Sequence, residues 1–263
     1  MKTIVITGGT DGIGRALART FLRRRDRVIV VGRDAAKAPA GAEFIAADLA
    51  LVAENRRVLA EITATAPAVD ALVLCARHYR SARAETAEGF EENFALFHLS
   101  RHVLGHGLAS RLEQAPAPVI MSVAGPGAPL GVIAWGDLQL TRGYNGGRAM
   151  TQAGKLADLL GVDYAAAHPG TRVRYVLHHP GVTVTGHSGT YSAADAAHVA
   201  AMRRGGKTVG EAVVPILHRL DDPPAEPLSA YLHHERIPVD GTDWDTAAAA
   251  RLRTLTEDLL AGH

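Results

Sequence analysis

Cysteine is almost missing. Cys75 is the single thiol in 263 residues, so no internal disulfide framework can form, and one thiol fits a reducing compartment. The cytoplasm is the expected location. Lysine is also rare, at Lys2, Lys37, Lys155 and Lys207, yet arginine balances the acids to a formal net charge of +1. Balanced charge provides no broad field for nucleic acid or an anionic membrane surface, and neither is expected as a partner. No apolar run approaches the ~20 residues of a membrane-spanning helix. The opening MKTIVITGG holds too short an apolar run for a secretory leader. There is no internal repeat, no heptad array and no long polar linker. No Gly-x-Ser-x-Gly elbow occurs, which removes an acyl-transfer nucleophile of that type.

What the chain does hold is core-forming material, 47% of its residues being hydrophobic. Short apolar runs alternate with helical patterns from end to end. Lys2–Thr7, Arg27–Gly32, Glu43–Ala47, Val69–Cys75, Pro118–Val123, Thr171–Leu177 and Ser229–His233 read as strands. Ile13–Arg25, Asn55–Ala66, Glu85–Gln114, Arg148–His168 and Thr242–Ala261 read as helical. Strand–helix alternation over the whole length implies one α/β domain, 1–263. It is a three-layer Rossmann fold on a doubly wound, mostly parallel, seven-stranded sheet.

The first strand runs straight into Thr7-Gly8-Gly9-Thr10-Asp11-Gly12-Ile13-Gly14, which opens the first helix. Glycines there permit a tight turn and a close backbone approach to a pyrophosphate, and the helix N-terminus attracts the anion. The second strand ends Val31-Gly32-Arg33, where an acidic residue would favour the free ribose 2′-hydroxyl of NAD. Arg33, with Arg15 just past the glycines, suits a 2′-phosphate and points to NADP(H). Asp34, one step on, keeps an NAD-tolerant reading open.

These motifs resemble the short-chain dehydrogenase/reductase family, whose TGxxxGxG pattern Thr7 to Gly14 match in full. The resemblance implies further cofactor contacts. Asp48-Leu49 is similar to the family's adenine-contacting pair, and Ala76 retains part of its Asn-Ala-Gly segment. Pro180, Gly181 and Thr185 are similar to the PGxxxT segment that meets the nicotinamide. The stretch 88–99, Lys155-Leu156-Ala157 and Leu252–Leu260 look most like the retinol-dehydrogenase-like branch. The resemblance also implies a substrate lid at about 183–208, and pairing into dimers or tetramers through the helices near 85–114 and 148–168.

The family's chemistry uses a Tyr acid, a Lys four residues later, a Ser on the substrate oxygen and a helix Asn. On this resemblance Ser122 and Lys155 are present, Lys155 holding the nicotinamide ribose. The Tyr position is Thr151, and the Asn position falls on Phe97. A Thr hydroxyl is a far weaker acid than a phenol of pKa ~10, so Thr151 can relay a proton but not act as the terminal acid. Tyr144, in a Gly-rich stretch before Lys155, is the first replacement to weigh against an ordinary loop tyrosine. His187, Tyr191, His78 and Tyr79 are lesser ones. His98, His102 and His106 recur every four residues, a spacing that can grip zinc. With no carboxylate or Cys at ligand spacing in the neighbouring sequence, no metal is expected. Trp135 either lines a substrate pocket or fills the core.

The functional expectation is an atypical NADP(H)-dependent oxidoreductase. It would act on a small ketone or alcohol, aromatic or polyketide-like, with a non-standard proton donor. Two alternatives stand beside it. One is a non-redox cyclase, isomerase or dehydratase on the same fold. The other is a dinucleotide-binding protein without catalysis.

Overall fold

The computed structural model describes residues 1–186 and 189–263. Seven parallel strands form the main sheet: β1 (Thr3–Thr7), β2 (Arg27–Gly32), β3 (Glu43–Ala46), β4 (Ala71–Leu74), β5 (Val119–Val123), β6 (Arg174–His179) and β7 (Leu228–Leu232). Their spatial order is β3-β2-β1-β4-β5-β6-β7. An eighth short strand, β8 (Glu235–Ile237), turns back antiparallel along β7 and caps that edge. The sequence pattern predicts the seven parallel strands. Three residues of weak alternation hid the eighth.

Alternation along each strand splits the core between the two faces. Val5, Ile29, Val31, Leu72, Leu74, Ile120 and Leu177 face one layer. Ile4, Ile6, Val28, Val30, Val73, Met121 and Val176 face the other. Both faces are apolar because both are covered by helices, as parallel sheets require. On the first face lie α2 (Val52–Thr65), α3 (Ser100–Gly107) and α4 (Gly146–Ala167), with α7 (Thr246–Ala261) packed along α4. On the second lie α1 (Gly12–Arg23) and α6 (Val209–Asp221).

The segment read as one long helix, 85–114, is broken up. Its helical part begins at Glu92 and passes through a π-helical stretch, Ala95–Leu99, before α3. All five π residues are buried. In the region read as a lid, Gly189–Thr190 pairs with Tyr79–Arg80 in a two-stranded ribbon. Helix α5 (Ala193–Arg204) follows and contains no buried residue. His187, weighed above as a proton donor, lies outside the described residues.

Candidate dinucleotide and active site

The strand order reverses direction at β1, with β2 on one side and β4 on the other. The crevice above their C-terminal ends is where doubly wound sheets take ligands. The glycine turn sits there. Gly8 holds φ +67° and Gly12 φ +48°, a region that favours glycine. A Cβ on Gly8 would lie 2.8 Å from the Cα of Ala76, and one on Gly14 would collide with the Gly8 carbonyl. Ala76 N–H donates to Thr7 Oγ1 at 3.2 Å, tying the end of β4 to the turn. Asp11 caps α1, its carboxylate accepting from Gly12 N–H at 2.7 Å. These contacts make a bare backbone cradle at a helix N-terminus, which fits a pyrophosphate.

The segment after β6 closes onto the cradle. Gly181 turns at φ +90°, Val182 and Val184 are bonded to Lys207, and Thr185 reaches the glycine turn. A Cβ on Gly12 would stand 2.9 Å from the Thr185 methyl. Gly186 packs against the Asp11 carboxylate.

The two arginines expected at the 2′-phosphate sit in different surroundings. Arg15 lies 3.7 Å from Asp11 and lines a groove with Arg19, Arg23 and Arg203 between α1 and the 184–186 segment. Arg33 is exposed at the end of β2. With Arg80 it opposes Glu92 and Asp48 in the field at His78, which burial pushes down to about 4. Asp34 is occupied elsewhere: its carboxylate accepts from Ala36 N–H at 3.0 Å and lies 3.2 Å from Lys37. Asp48 accepts from Ala50 N–H at 3.0 Å, and Leu49 is buried below it.

The catalytic candidates are placed unconventionally. Thr151 is exposed, its hydroxyl donating back to Gly147 O at 3.0 Å. Ser122 is fully buried, and its Oγ accepts from Arg101 Nη1 at 2.7 Å. The other arm of Arg101 donates to Val123 O at 3.0 Å. The guanidinium lies over the Phe97 ring, 5.3 Å from its centroid. Burial draws Arg101 below its usual range and pushes the neighbouring phenol of Tyr175 up to about 12.

Lys155 is also fully buried and does not face the glycine turn. Its Nζ lies 2.8 Å from Asp158 Oδ2 and donates to Asp243 O at 3.0 Å. It sits 4.9 Å from the Trp244 ring centroid. Burial raises Asp158 to about 6, against the pull of Lys155. The segment before α7 thus holds the lysine.

Tyr144 is no freer. Its hydroxyl accepts from Asn93 Nδ2 at 2.7 Å and lies 3.1 Å from Arg80 O and 3.3 Å from Glu91 Oε1. Burial, then Glu91, pushes its pKa well up, which makes it a poorer acid than an ordinary phenol. Tyr79 and Tyr191 stack on each other at 5.1 Å. Trp135 packs against the core under Arg251.

Four residues of this region escaped the sequence reading: Arg101, Tyr175, Asp158 and Asp163. Arg101 carried a signal, a lone cation in an apolar helical stretch. Asp163 bears on the metal argument, because the fold brings this carboxylate of α4 to His102 and His106.

Comparison with known proteins fits this architecture. The short chain dehydrogenase family description matches residues 2–124. Retinol dehydrogenase 12 of Bos taurus is 32% identical over 194 residues, 69% of this chain and 61% of that protein. Retinol dehydrogenase 13 of Homo sapiens is 30% identical, over 73% of this chain and 64% of that protein. The chain therefore spans somewhat under two thirds of the length of these curated relatives. Among solved structures, an uncharacterized protein from Mycobacterium paratuberculosis superposes with a TM-score of 0.69 at 24% identity, covering 99% of this chain and 94% of that one. A short-chain dehydrogenase from Sphingobium yanoikuyae in complex with NADPH superposes with a TM-score of 0.65 at 20% identity, covering 98% and 96%. At those identities the two structures establish the fold.

Proposed function

We propose, from the match of residues 2–124 to the short chain dehydrogenase family, that the chain is an NADP(H)-dependent oxidoreductase of alcohols and ketones with a rebuilt proton path. The observation that carries the reading is the bare-backbone cradle at Gly8, Gly12, Gly14 and Ala76 under Thr185. A side chain at any of these glycines would meet the protein's own atoms, at Ala76, Gly8 or Thr185, and force open the tight turn that presents bare backbone to a pyrophosphate. The 2′-phosphate is assigned to Arg33, because Asp34 spends its carboxylate on the turn behind it. The names of the retinol dehydrogenases give the substrate class its direction: a small apolar alcohol or carbonyl.

The nicotinamide group supplies the hydride when bound. The chain's own part is to stabilise the substrate oxygen. Ser122 Oγ accepts from the Arg101 guanidinium and faces the Tyr175 hydroxyl; in this reading its proton turns from Tyr175 to the substrate oxygen, and the cation behind it strengthens that donation. An oxygen that gains negative charge is held by a polarised hydroxyl in place of a phenol. Thr151, exposed beside the helix start, relays a proton from water.

A second reading is favoured by the buried, engaged state of Ser122 and Lys155: a dinucleotide-binding protein that transfers no hydride. One experiment separates them. Titration with NADPH and NADH, read by nicotinamide fluorescence, tests the cofactor. Loss of the nicotinamide absorbance is then followed over a panel of aromatic and aliphatic aldehydes and ketones. Turnover on any carbonyl supports the oxidoreductase. Tight NADPH binding without turnover, unchanged in Arg101→Met, supports the second reading. No NADPH binding removes both.

A further inference from the structure

Away from the dinucleotide crevice, α3, α4 and α7 enclose a second polar cluster. His102 and His106 stand one helical turn apart on α3, and Asp163 projects from α4. One ligand atom from each lies within 4.8 Å of the others. His102 and Asp163 are buried. His106 Nε2 and Asp163 Oδ2 face each other at 3.2 Å, yet neither has a hydrogen-bond partner. Two buried polar atoms pointing at a common space without a shared hydrogen bond carry a standing desolvation cost.

We propose that His102, His106 and Asp163 form a divalent transition-metal site, with zinc as the best match. In tetrahedral zinc with bonds of about 2.0–2.1 Å, adjacent ligand atoms stand about 3.3 Å apart. The His106–Asp163 pair already has that edge, at 3.2 Å. His102 closes the remaining gap by side-chain rotation, since the three ligand atoms all lie within 4.8 Å of one another. The donor set, two imidazoles and one carboxylate, suits zinc and other first-row ions over magnesium or calcium. Water takes the fourth position.

The surrounding groups are those a metal site uses to orient its ligands. Arg253 Nη1 of α7 lies 3.2 Å from the other Asp163 oxygen, Oδ1, leaving Oδ2 to bind alone. His106 Nδ1 lies 3.3 Å from His168 Nε2. A proton on Nδ1, donated to His168, leaves Nε2 of His106 unprotonated and facing the metal position. The site joins α3 to α4, with α7 bracing the carboxylate. The α3–α4 layer covers one face of the sheet and α1, which the glycine turn opens, covers the other, so the ion is a structural clasp apart from the dinucleotide crevice.

Cobalt and zinc added separately to the tag-free, chelator-stripped full chain test this. One equivalent of cobalt should give the strong visible absorption of a tetrahedral site, and zinc should bleach it and raise the melting temperature. Asp163→Asn and His106→Gln should each weaken zinc by tenfold or more, while His234→Gln, on the exposed β7–β8 turn, should leave it unchanged. Cobalt that keeps the faint spectrum of its hydrated ion overturns the site without recourse to any variant. A tetrahedral spectrum that survives His106→Gln at full affinity also overturns it, by placing the metal at other histidines.

Discussion

At Gly14 a single hydrogen separates a working turn from a blocked one. A methyl group there meets the Gly8 carbonyl, and backbone cannot give way as a side-chain tip can. Gly14→Ala should weaken NADPH at least tenfold in a fluorescence titration while far-UV circular dichroism stays that of the wild type. Arg33 makes a different prediction, one of selectivity. Arg33→Gln removes a cation from a 2′-phosphate and nothing from a 2′-hydroxyl. NADPH affinity should fall by about tenfold, the value of one charge-assisted contact of ~1.4 kcal/mol, with NADH affinity unchanged. Equal loss for both cofactors would mean that Arg33 supports the loop and not the phosphate. These residues were legible in the sequence because glycine and the strand-end cation act through local backbone. The absence of a phenol at Thr151 was equally plain. Arg101 was not, because its partner Ser122 is 21 residues away and only the fold makes them neighbours.

Elements explain how Arg101 comes to point at Ser122. The π-helical stretch Ala95–Leu99 adds a residue to the turn and rotates everything beyond it. Phe97 and His98 are then both buried, Arg101 turns to the end of β5, and His102 and His106 turn to α4. Hydrophobic periodicity saw a helix across this region, but a one-residue change of register leaves no mark in an apolar run. The start of α4 was more legible, since Asn145 caps it through Arg148 N–H at 3.1 Å. What no local pattern could give is the use made of α4 by the C-terminal segment. Trp244 is buried and faces the Lys155 ammonium. Trp244→Ala should cost about 3 kcal/mol, the order found for emptying a large core site, read as a lower denaturant midpoint. Trp244→Phe, which keeps a ring under the ammonium, should cost less than half as much. Equal costs would show that the cation contact adds nothing beyond volume.

The molecule as a whole carries an unusual load of buried imidazole. Burial pushes His78 and His102 down to about 4, and His98 and His178 down to about 3. In the unfolded chain each titrates near 6.5. Between 6.5 and those depressed values the unfolded state binds more protons, so stability rises with pH there and is lost as pH falls. Each histidine that stays neutral steepens the slope by up to about 1.4 kcal/mol per pH unit. Asp158, raised to about 6, works the other way over the interval from 3.8 to 6, as does Glu91, which burial also raises, but these two carboxylates oppose six imidazoles, because burial lowers His168 and His179 as well. Denaturant midpoints should therefore fall steeply from pH 7 to pH 5. A flat profile would mean that these rings reach water in the folded state. No helix among the described residues is long and apolar enough to cross a membrane.

Helix α7 lies along α4, the helix through which the family resemblance implies pairing of subunits. Ala249 and Leu252, buried in the same core as Leu156 and Leu160 of α4, give that helix apolar cover from within one chain. Such cover is present at every dilution, because its effective concentration is set by the covalent chain and not by how much protein is in solution. Melting temperature should accordingly hold constant over a hundredfold dilution, where a chain that borrowed this face from a neighbour would soften as it was thinned out.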